Sequence, residues 1–118
     1  MSKHNETGLK GEQLAEKFLI GKGYTILQRN WRHQKKEIDL IVQKRDTLVF
    51  TEVKTRSRID FGFPEEFVDH RKKRFLKMAA VAYLEQFPGY RKVQFDVISI
   101  LLDNGTVHEI IHFEDAFY

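Results

Sequence analysis

The fold of this chain is decided by residues 36–55, KEIDLIVQKRDTLVFTEVKT. Two apolar runs with the alternation of β-strands flank a short polar segment, Lys44-Arg45-Asp46. The pattern predicts an antiparallel hairpin in which Asp39 and Glu52 lie roughly abreast on neighbouring strands. In the second strand, Glu52 and Lys54 alternate onto one face, so two acids and a lysine are expected to meet.

Carboxylates are unusual in strands that are apolar on most of their surface. A buried carboxylate is costly without compensation, and two of them repel unless a cation lies between them. Asp39 and Glu52 offer the hard oxygen ligands that suit Mg²⁺ or Mn²⁺, which keeps water and substrate phosphate as further ligands. The Val53 carbonyl is a candidate ligand too, and the Lys54 ammonium would act on the attacking water or the developing charge. The pattern indicates a metal site that cleaves phosphodiesters, although E-x-K alone is more often a solvated, ion-paired strand face.

The periodicity of the whole chain predicts a mixed α/β fold of order α-β-β-β-α-β-β. The predicted elements are a helix over 9–22, strands over 24–32, 36–43 and 48–55, a helix over 65–87, and strands over 93–102 and 107–111. Glu12 lies at the border of the first helix's apolar stripe, within reach of the active face of the sheet. The step Asn104-Gly105 is a strong signal for the last hairpin turn. The residues expected to share faces are Ile38, Leu40 and Val42 in the second strand, and Phe75, Met78, Ala79, Ala82 and Tyr83 in the second helix.

Length and composition set broad bounds on the protein. With 118 residues, 42% of them hydrophobic, the chain is expected to form one domain over residues 1–118. It has no cysteine, which excludes disulfides, thiol catalysis and thiolate zinc sites. The N-terminus lacks the apolar region of a signal peptide, and no apolar stretch approaches the length of a membrane span. We therefore expect a soluble, cytoplasmic protein with no membrane partner.

Basic residues surround the predicted acidic centre, although the net charge is only +3. They precede Asp39, follow Lys54 and fill the segment 70–77. A basic rim around an acidic centre suits a metal nuclease, because the rim engages backbone phosphates while the centre holds the metal. A solvated basic helix with two charged loops is the alternative interpretation. The candidate nucleic-acid-binding residues are Arg32, Lys36, Arg56 and Lys72.

Three further residues have a functional and a structural interpretation, and a fourth has a structural one only. Glu37 shares the alternation of Asp39 and either supports the metal or forms an ordinary ion pair with a neighbouring cation. Tyr24 and Trp31 either stack on unpaired bases or belong to the core, and the core interpretation is favoured. Asp96 is expected to cap a group, or to pair with an arginine, within the core sheet.

Ordered motifs along the chain carry a family resemblance. They are Gly8-x-x-Gly11-Glu12-x-x-Ala15, Gly23-Tyr24-x-Ile26-Leu27-x-Arg29-Asn30-Trp31-Arg32, Glu37-Ile38-Asp39-Leu40-Ile41, Val49-Phe50-x-Glu52-Val53-Lys54-x-Arg56 and Phe95-Asp96-Val97-Ile98. Over nearly its whole length the chain resembles the YraN family of small bacterial proteins. That family is assigned to the restriction-endonuclease-like, PD-(D/E)xK superfamily and is similar to Holliday-junction resolvases. The resemblance implies a restriction-endonuclease-like fold more firmly than it implies an activity.

Carried over position by position, the resemblance implies a first-helix acid at Glu12, metal-binding acids at Asp39 and Glu52, and a catalytic lysine at Lys54. Lys36 departs from the family, which usually has glycine just before the Glu-Ile-Asp triplet. A lost glycine alters the scope for a bulge or turn, so the resemblance does not fix the strand register beside Asp39.

The leading hypothesis is a Mg²⁺- or Mn²⁺-dependent endonuclease that hydrolyses DNA, with branched or junction DNA in repair or recombination as one substrate class. The alternatives are a nucleic-acid-binding module whose site no longer turns over, and a protein-interaction module of the same fold. The expected partner is nucleic acid, with DNA as the leading candidate and RNA left open. Junction resolvases of this fold act as symmetric dimers, which leaves a homodimer open.

Overall fold

The computed structural model of the chain describes residues 6–57 and 70–117. The elements are α1 (Glu6–Gly21), β1 (Thr25–His33), β2 (Lys36–Lys44), β3 (Thr47–Ser57), α2 (His70–Gln86), β4 (Lys92–Asp103) and β5 (Thr106–Phe117). Their order is the predicted α-β-β-β-α-β-β. The predicted first turns of the second helix, residues 65–69, lie outside the described residues. Neither described helix is long and apolar enough to cross a membrane.

The strands form one five-stranded sheet in the order β1-β2-β3-β4-β5. Three neighbouring pairs are antiparallel, whereas β3 and β4 are parallel over the whole length of β3. Parallel neighbours need a crossover connection, and α2 lies in that connection. The Asn104-Gly105 turn has positive φ at both residues, 54° and 79°, which is the type I′ geometry expected of this dipeptide.

One helix packs on each face of the sheet, which makes a three-layer α/β/α sandwich. The α2 face buries Ile38, Ile41, Leu48 and Phe50 of the sheet under Leu76, Ala79, Ala80 and Tyr83. The α1 face buries Leu40, Val42, Val49 and Val53 under Ala15 and Leu19. Full burial of one such large apolar side chain contributes about 1.5–3 kcal/mol, so both helices are held mainly by these contacts.

The predicted core stripe of α2 is wrong in part. Met78 is 58% exposed, and Phe75 and Ala82 are only half-buried. The buried stripe instead contains Leu76 and Ala80 together with the predicted Ala79 and Tyr83. Both sets have helical spacing and share Ala79 and Tyr83, so periodicity alone does not distinguish them; the centre of the buried stripe is turned by about 80° from the predicted one. Phe75 therefore packs only partly against this core, and the apolar surface of Met78 lies outside it.

The C-terminus of α1 sets the direction in which the chain enters the sheet. Gly23 has φ +95° and donates its N–H to the Ile20 carbonyl, and the Tyr24 N–H reaches the Leu19 carbonyl. This pair of bonds is a Schellman motif, in which glycine takes the left-handed conformation without a Cβ penalty. Tyr24 and Leu19 are both buried in the α1 core, so the core interpretation of Tyr24 is confirmed.

Candidate active site

The regular pairing of β2 with β3 stops just before the two predicted acids. The ladder runs from Lys44↔Thr47 to Leu40↔Thr51. Beyond this pair the backbones of Asp39 and Glu52 are no longer paired, and the Val53 N–H donates to Asp39 Oδ2 over 2.8 Å. The carboxylate therefore takes the place of a backbone partner, while β3 continues along β4 on its other side. This interruption in the sheet is where the candidate site lies.

The alternation of β2 also changes at Asp39. Ile38 packs in the α2 core and Leu40 in the α1 core, so the prediction that both share a face with Val42 is wrong for Ile38. On the neighbouring strand, Asn30 lies between the pairs Trp31↔Ile38 and Arg29↔Leu40 and has φ 48°. Irregularities of this kind redirect side chains and are common beside active sites. Because of this break, the Asp39 side chain belongs to neither of the two hydrophobic cores.

Four predicted catalytic residues meet at this break. Glu12, Asp39, Glu52 and Lys54 line one open cavity of about 240 Å³, together with Gly8, Val53 and Thr55. A second cavity of about 350 Å³ shares Glu12 and Asp39 with the first and extends along α1 toward Arg29. The predicted antiparallel hairpin and the proximity of Asp39 to the Glu52-Val53 segment are thus found in the structure.

Gly11 allows α1 to bring Glu12 to the cavity. A Cβ built on Gly11 would stand 1.8 Å from Thr55 Oγ1 and 2.8 Å from Thr55 Cβ. No side chain fits there, because real Cβ contacts below 3.0 Å are essentially never seen. The close packing of α1 on β3 at Thr55, next to Lys54, therefore requires glycine one residue before the acid.

Electrostatic repulsion and burial dominate the site. Burial raises the pKa of Asp39 to about 7, and the charges of Glu52 and Glu12 act in the same direction. The hydrogen bond from Val53 and the charge of Lys72 oppose this shift in the pKa of Asp39. Because Glu12 is on α1 and Lys72 on α2, charges from both faces of the sheet reach Asp39 through the break.

Glu52 is the most buried of these acids. It is 4% exposed, and its Oε2 lies 3.1 Å from Lys72 Nζ. Its Oε1 is buried and has no hydrogen-bond partner among the described residues. An ionised carboxylate with one buried oxygen in this state is costly, and a cation at that oxygen would offset the cost.

The donor set fits a divalent cation that keeps part of its hydration shell. Across 6–57 and 70–117, no three His, Asp or Glu side chains converge as a complete ligand group. A metal at Asp39 and Glu52 would therefore complete its shell with water and phosphate, which is the habit of Mg²⁺. The buried Oε1 of Glu52 and the carboxylate of Asp39 are the oxygens available to it.

The predicted nucleic-acid-binding residues do not share one environment. Arg32 is exposed and lies 3.8 Å from Glu37, which confirms the ion-pair interpretation of Glu37. Lys36 Nζ lies 5.6 Å from the centre of the Phe75 ring. Arg56 is half-buried on β3. Lys72 contacts Glu52 of the acidic centre from α2, a placement that spacing along the sequence did not reveal.

Two interpretations of core residues can be compared with the structure. Trp31 packs edge-on against Tyr83 at 5.2 Å in the α2 core, so its core interpretation is confirmed. Asp96 is fully buried and caps a backbone group, as one of the two alternatives predicted, rather than pairing with an arginine: Oδ1 accepts from the Asp115 N–H, and Oδ2 is 2.7 Å from His112 Nε2. These bonds tie β5 to β4. The sequence offered no spacing signal for this pair, because its two members come together only when β5 pairs with β4.

Comparison with known proteins places the chain in a family. A sequence profile of the family described as "Uncharacterised protein family UPF0102" matches residues 11–100. A UPF0102 protein of Flavobacterium psychrophilum is 46% identical over 118 residues, which is 100% of this chain and 98% of the relative. Another from Syntrophomonas wolfei is 46% identical over 97% of this chain and 99% of the relative, and one from Rhodococcus opacus is 41% identical over 93% and 94%. The chain belongs to the UPF0102 family, which is YraN-like, as the motifs indicated.

Proposed function

We propose that this protein is a divalent-metal-dependent nuclease of the restriction-endonuclease-like type, which hydrolyses phosphodiester bonds of DNA. The observation that carries the proposal is the convergence of Glu12, Asp39, Glu52 and Lys54 on one cavity where the β2–β3 pairing stops. Acids held close together repel one another and lower the stability of the folded protein. Such destabilising groups are typically found at functional sites.

The acids would hold Mg²⁺ or Mn²⁺. Asp39 and Glu52 would be the carboxylate ligands, with the Val53 carbonyl as a further oxygen donor, and Glu12 would reach the metal through a bound water, because three acids do not converge on one point among the described residues. When bound, the metal would supply Lewis-acid activation of the phosphate and of its bound water. The chain itself supports this role: Glu52 has a buried, unpartnered oxygen, and burial together with neighbouring carboxylates keeps Asp39 hard to ionise without a cation.

Lys54 and Lys72 would act as fixed positive charges on the reacting phosphate. Lys54 lines the same cavity as the acids, where its ammonium would orient the attacking water or stabilise charge on the phosphate oxygens. Lys72, whose Nζ lies 3.1 Å from Glu52 Oε2, would contact a phosphate bound beside that acid.

One observation favours a second candidate function. The ion pair between Lys72 and Glu52 gives the fold a way to keep Glu52 buried with no metal bound. A nucleic-acid-binding module without turnover would have this property. Its affinity would fall steeply as salt rises, and the binding would survive Asp39→Asn.

A cleavage assay separates the two functions. Labelled single-stranded, duplex, flap and four-way-junction DNA, with matched RNA, would be incubated in Mg²⁺, Mn²⁺ or EDTA with the wild type and with Asp39→Asn and Lys54→Ala. We expect cleavage that requires metal and falls about 100-fold or more in both variants. Glu37→Gln is the matched control, because Glu37 lies on the same strand but pairs with Arg32 and does not line the cavity.

The outcomes of this assay are distinct. Metal-dependent cleavage that persists in Asp39→Asn would contradict the proposed site. No cleavage of any substrate, together with salt-sensitive binding that Asp39→Asn retains, would support the binding module instead.

A further inference from the structure

A third cavity, larger than the two at the acidic centre, lies between the β1–β2 turn and α2. Its volume is about 610 Å³, which is within the usual range for ligand-binding pockets. The residues that line it are His33, Gln34, Lys35, Lys36, Arg71, Arg74, Phe75 and Met78. Four of these eight carry a positive charge and none is acidic. The cavity therefore favours an anionic ligand.

The apolar part of this cavity is aromatic and accessible. Phe75 is half-buried and Met78 is 58% exposed, because the buried stripe of α2 runs through Leu76 and Ala79 instead. The His33 ring lies 6.3 Å from the Phe75 ring and stacks on Trp31 with an angle of 2° between the planes. Apolar surface that is exposed to water is unfavourable, and a flat ligand that covers it would bury it. The surrounding cations would favour a ligand that also carries negative charge.

We propose that this cavity binds an unpaired nucleotide of a single-stranded nucleic acid. The base would pack against Phe75 and Met78, and the adjacent phosphates would contact Lys35, Arg71 and Arg74. Cations alone are sufficient to contact phosphates. An aromatic cavity adds affinity only for a nucleic acid with an unpaired, unstacked base that can enter it. This inference deepens the proposed function by naming its substrate class, and it rests on that function for taking nucleic acid as the ligand.

The position of the cavity relative to the acidic centre supports this assignment. On α2, Phe75 lies three residues beyond Lys72, about 4.5 Å along the helix axis, and Lys72 contacts Glu52. On β2, Lys36 lies three residues before Asp39, about 10 Å along the strand. A strand seated in the cavity would therefore pass close to the acids. The favoured substrates have an unpaired segment beside the cut, as flaps and single strands have and uninterrupted duplex lacks.

The role of the base is tested by binding in EDTA, where no cleavage takes place. Fluorescence anisotropy of the wild type would be measured with a short oligothymidine, with an abasic oligonucleotide of equal phosphate number, and with duplex of equal length. We expect the oligothymidine to bind at least about tenfold more tightly than the abasic strand. Phe75→Leu, which keeps most of the apolar volume, should bring this ratio close to one and leave the abasic affinity unchanged.

The location is tested by a matched pair of variants on α2. Met78 and Val81 are 58% and 60% exposed, so glutamate at either position leaves the core intact, but only Met78 lines the cavity. We expect Met78→Glu to weaken oligothymidine binding about tenfold or more and Val81→Glu to change it by less than about twofold. Thermal melting of each variant confirms that the fold is retained.

Failure of this inference and failure of the proposed nuclease give different results. Equal affinity for the abasic strand and the oligothymidine, or equal losses in Met78→Glu and Val81→Glu, would overturn the nucleotide site even if the protein cuts DNA. A base-dependent affinity that Met78→Glu removes would establish the site even if no cleavage is found with any metal.

Discussion

At the scale of single residues, Asp39 is held in a state that ordinary aspartates avoid. Its side chain accepts one backbone N–H and is otherwise surrounded by buried surface and by the carboxylates of Glu52 and Glu12. Its pKa rises from 3.8 to about 7, so near neutral pH the residue lies close to the midpoint of its titration. Folding therefore opposes ionisation of Asp39, and a bound cation would oppose its protonation.

This raised pKa predicts a pH dependence of stability in the absence of metal. Between the unfolded pKa of 3.8 and the folded pKa of about 7, the folded state retains a proton that the unfolded state has released. The contribution of Asp39 to the free energy of unfolding is thus fully present below pH 3.8 and is lost as pH rises through 7. Its slope in this window is at most about 1.4 kcal/mol per pH unit.

Urea denaturation in EDTA, from about pH 4.5 to 8, measures this slope. We expect Asp39→Asn to flatten the curve and to gain stability relative to the wild type as pH rises. Glu85→Gln, at an exposed position on α2 that does not line the acidic cavity, is the control and should leave the slope close to that of the wild type. A wild-type curve parallel to that of Asp39→Asn would contradict the raised pKa.

The pair formed by Lys72 and Glu52 gives a second residue-scale prediction. Glu52 is 4% exposed, so Lys72→Gln leaves a buried carboxylate without the cation that now lies 3.1 Å away. We expect a loss of about 1–3 kcal/mol in the free energy of unfolding, reduced from the value for a fully buried pair because the Lys72 side chain is 36% exposed. Glu52→Gln combined with Lys72→Gln should recover most of it.

The effect of a metal on thermal stability tests whether the Lys72–Glu52 ion pair occupies a metal site or is only structural. Mn²⁺ should raise the melting temperature of Lys72→Gln more than that of the wild type, because the metal replaces the missing cation at Glu52. The same ion should have no such effect on the double variant. Additive losses in the double-mutant cycle would show that the two residues do not interact.

At the scale of elements, the site depends on how closely α1 approaches β3. Gly11→Ala would put a Cβ 1.8 Å from Thr55 Oγ1, so the helix must shift and carry Glu12 with it. We expect a loss of about 1–3 kcal/mol in stability and a reduction in any cleavage. Gly21→Ala is the matched control at the other end of α1, where the added Cβ meets nothing within 4 Å and the higher helix propensity is neutral or stabilising.

Circular dichroism and urea denaturation of the two alanine variants measure this difference. Thr55→Ala in the Gly11→Ala background should recover part of the loss, because it removes the hydroxyl but keeps the Cβ, which is itself 2.8 Å from the added atom. Equal stabilities for Gly11→Ala and Gly21→Ala would show that the close approach of α1 and β3 is not required.

At the scale of the whole molecule, charge is segregated around the break in the sheet. Acids line the cavity at the β2–β3 opening, and cations occupy the neighbouring end of α2 and the β1–β2 turn. Such a field raises the local concentration of a polyanion and weakens as salt screens it. The pattern is a property of the folded chain, since its members come from four separate elements.

This distribution predicts the salt dependence of binding. The logarithm of the binding constant for single-stranded DNA should fall linearly with the logarithm of salt concentration, and Arg74→Gln should reduce the slope by about 0.7. Lys17→Gln, at an exposed position on α1, is the control and should leave the slope unchanged, because Lys17 does not line either cavity. Titration of anisotropy against salt measures both, and equal slopes for wild type and Arg74→Gln would exclude this cation from the interface.

The features that sequence analysis predicted correctly are those that short segments encode. The side-chain alternation of β3, the stripe of α1 and the Asn104-Gly105 turn depend on neighbours within a few residues, and all three are found in the structure. The candidate acids were recognisable for the same reason: polar groups interrupt two apolar strands at Asp39 and Glu52. Family membership also follows from the ordered motifs, because they span most of the chain.

Tertiary structure alone decided the features that depend on distant partners. The α2 residues from 75 to 83 contain two overlapping apolar stripes, and only packing against Phe50 and Ile41 selects the one through Leu76. The end of β2–β3 pairing, the position of Lys72 beside Glu52 and the bond between Asp96 and His112 join residues from separate elements. Local periodicity sets which side chains share a face, whereas the energy of burial and charge pairing sets which faces and charges meet.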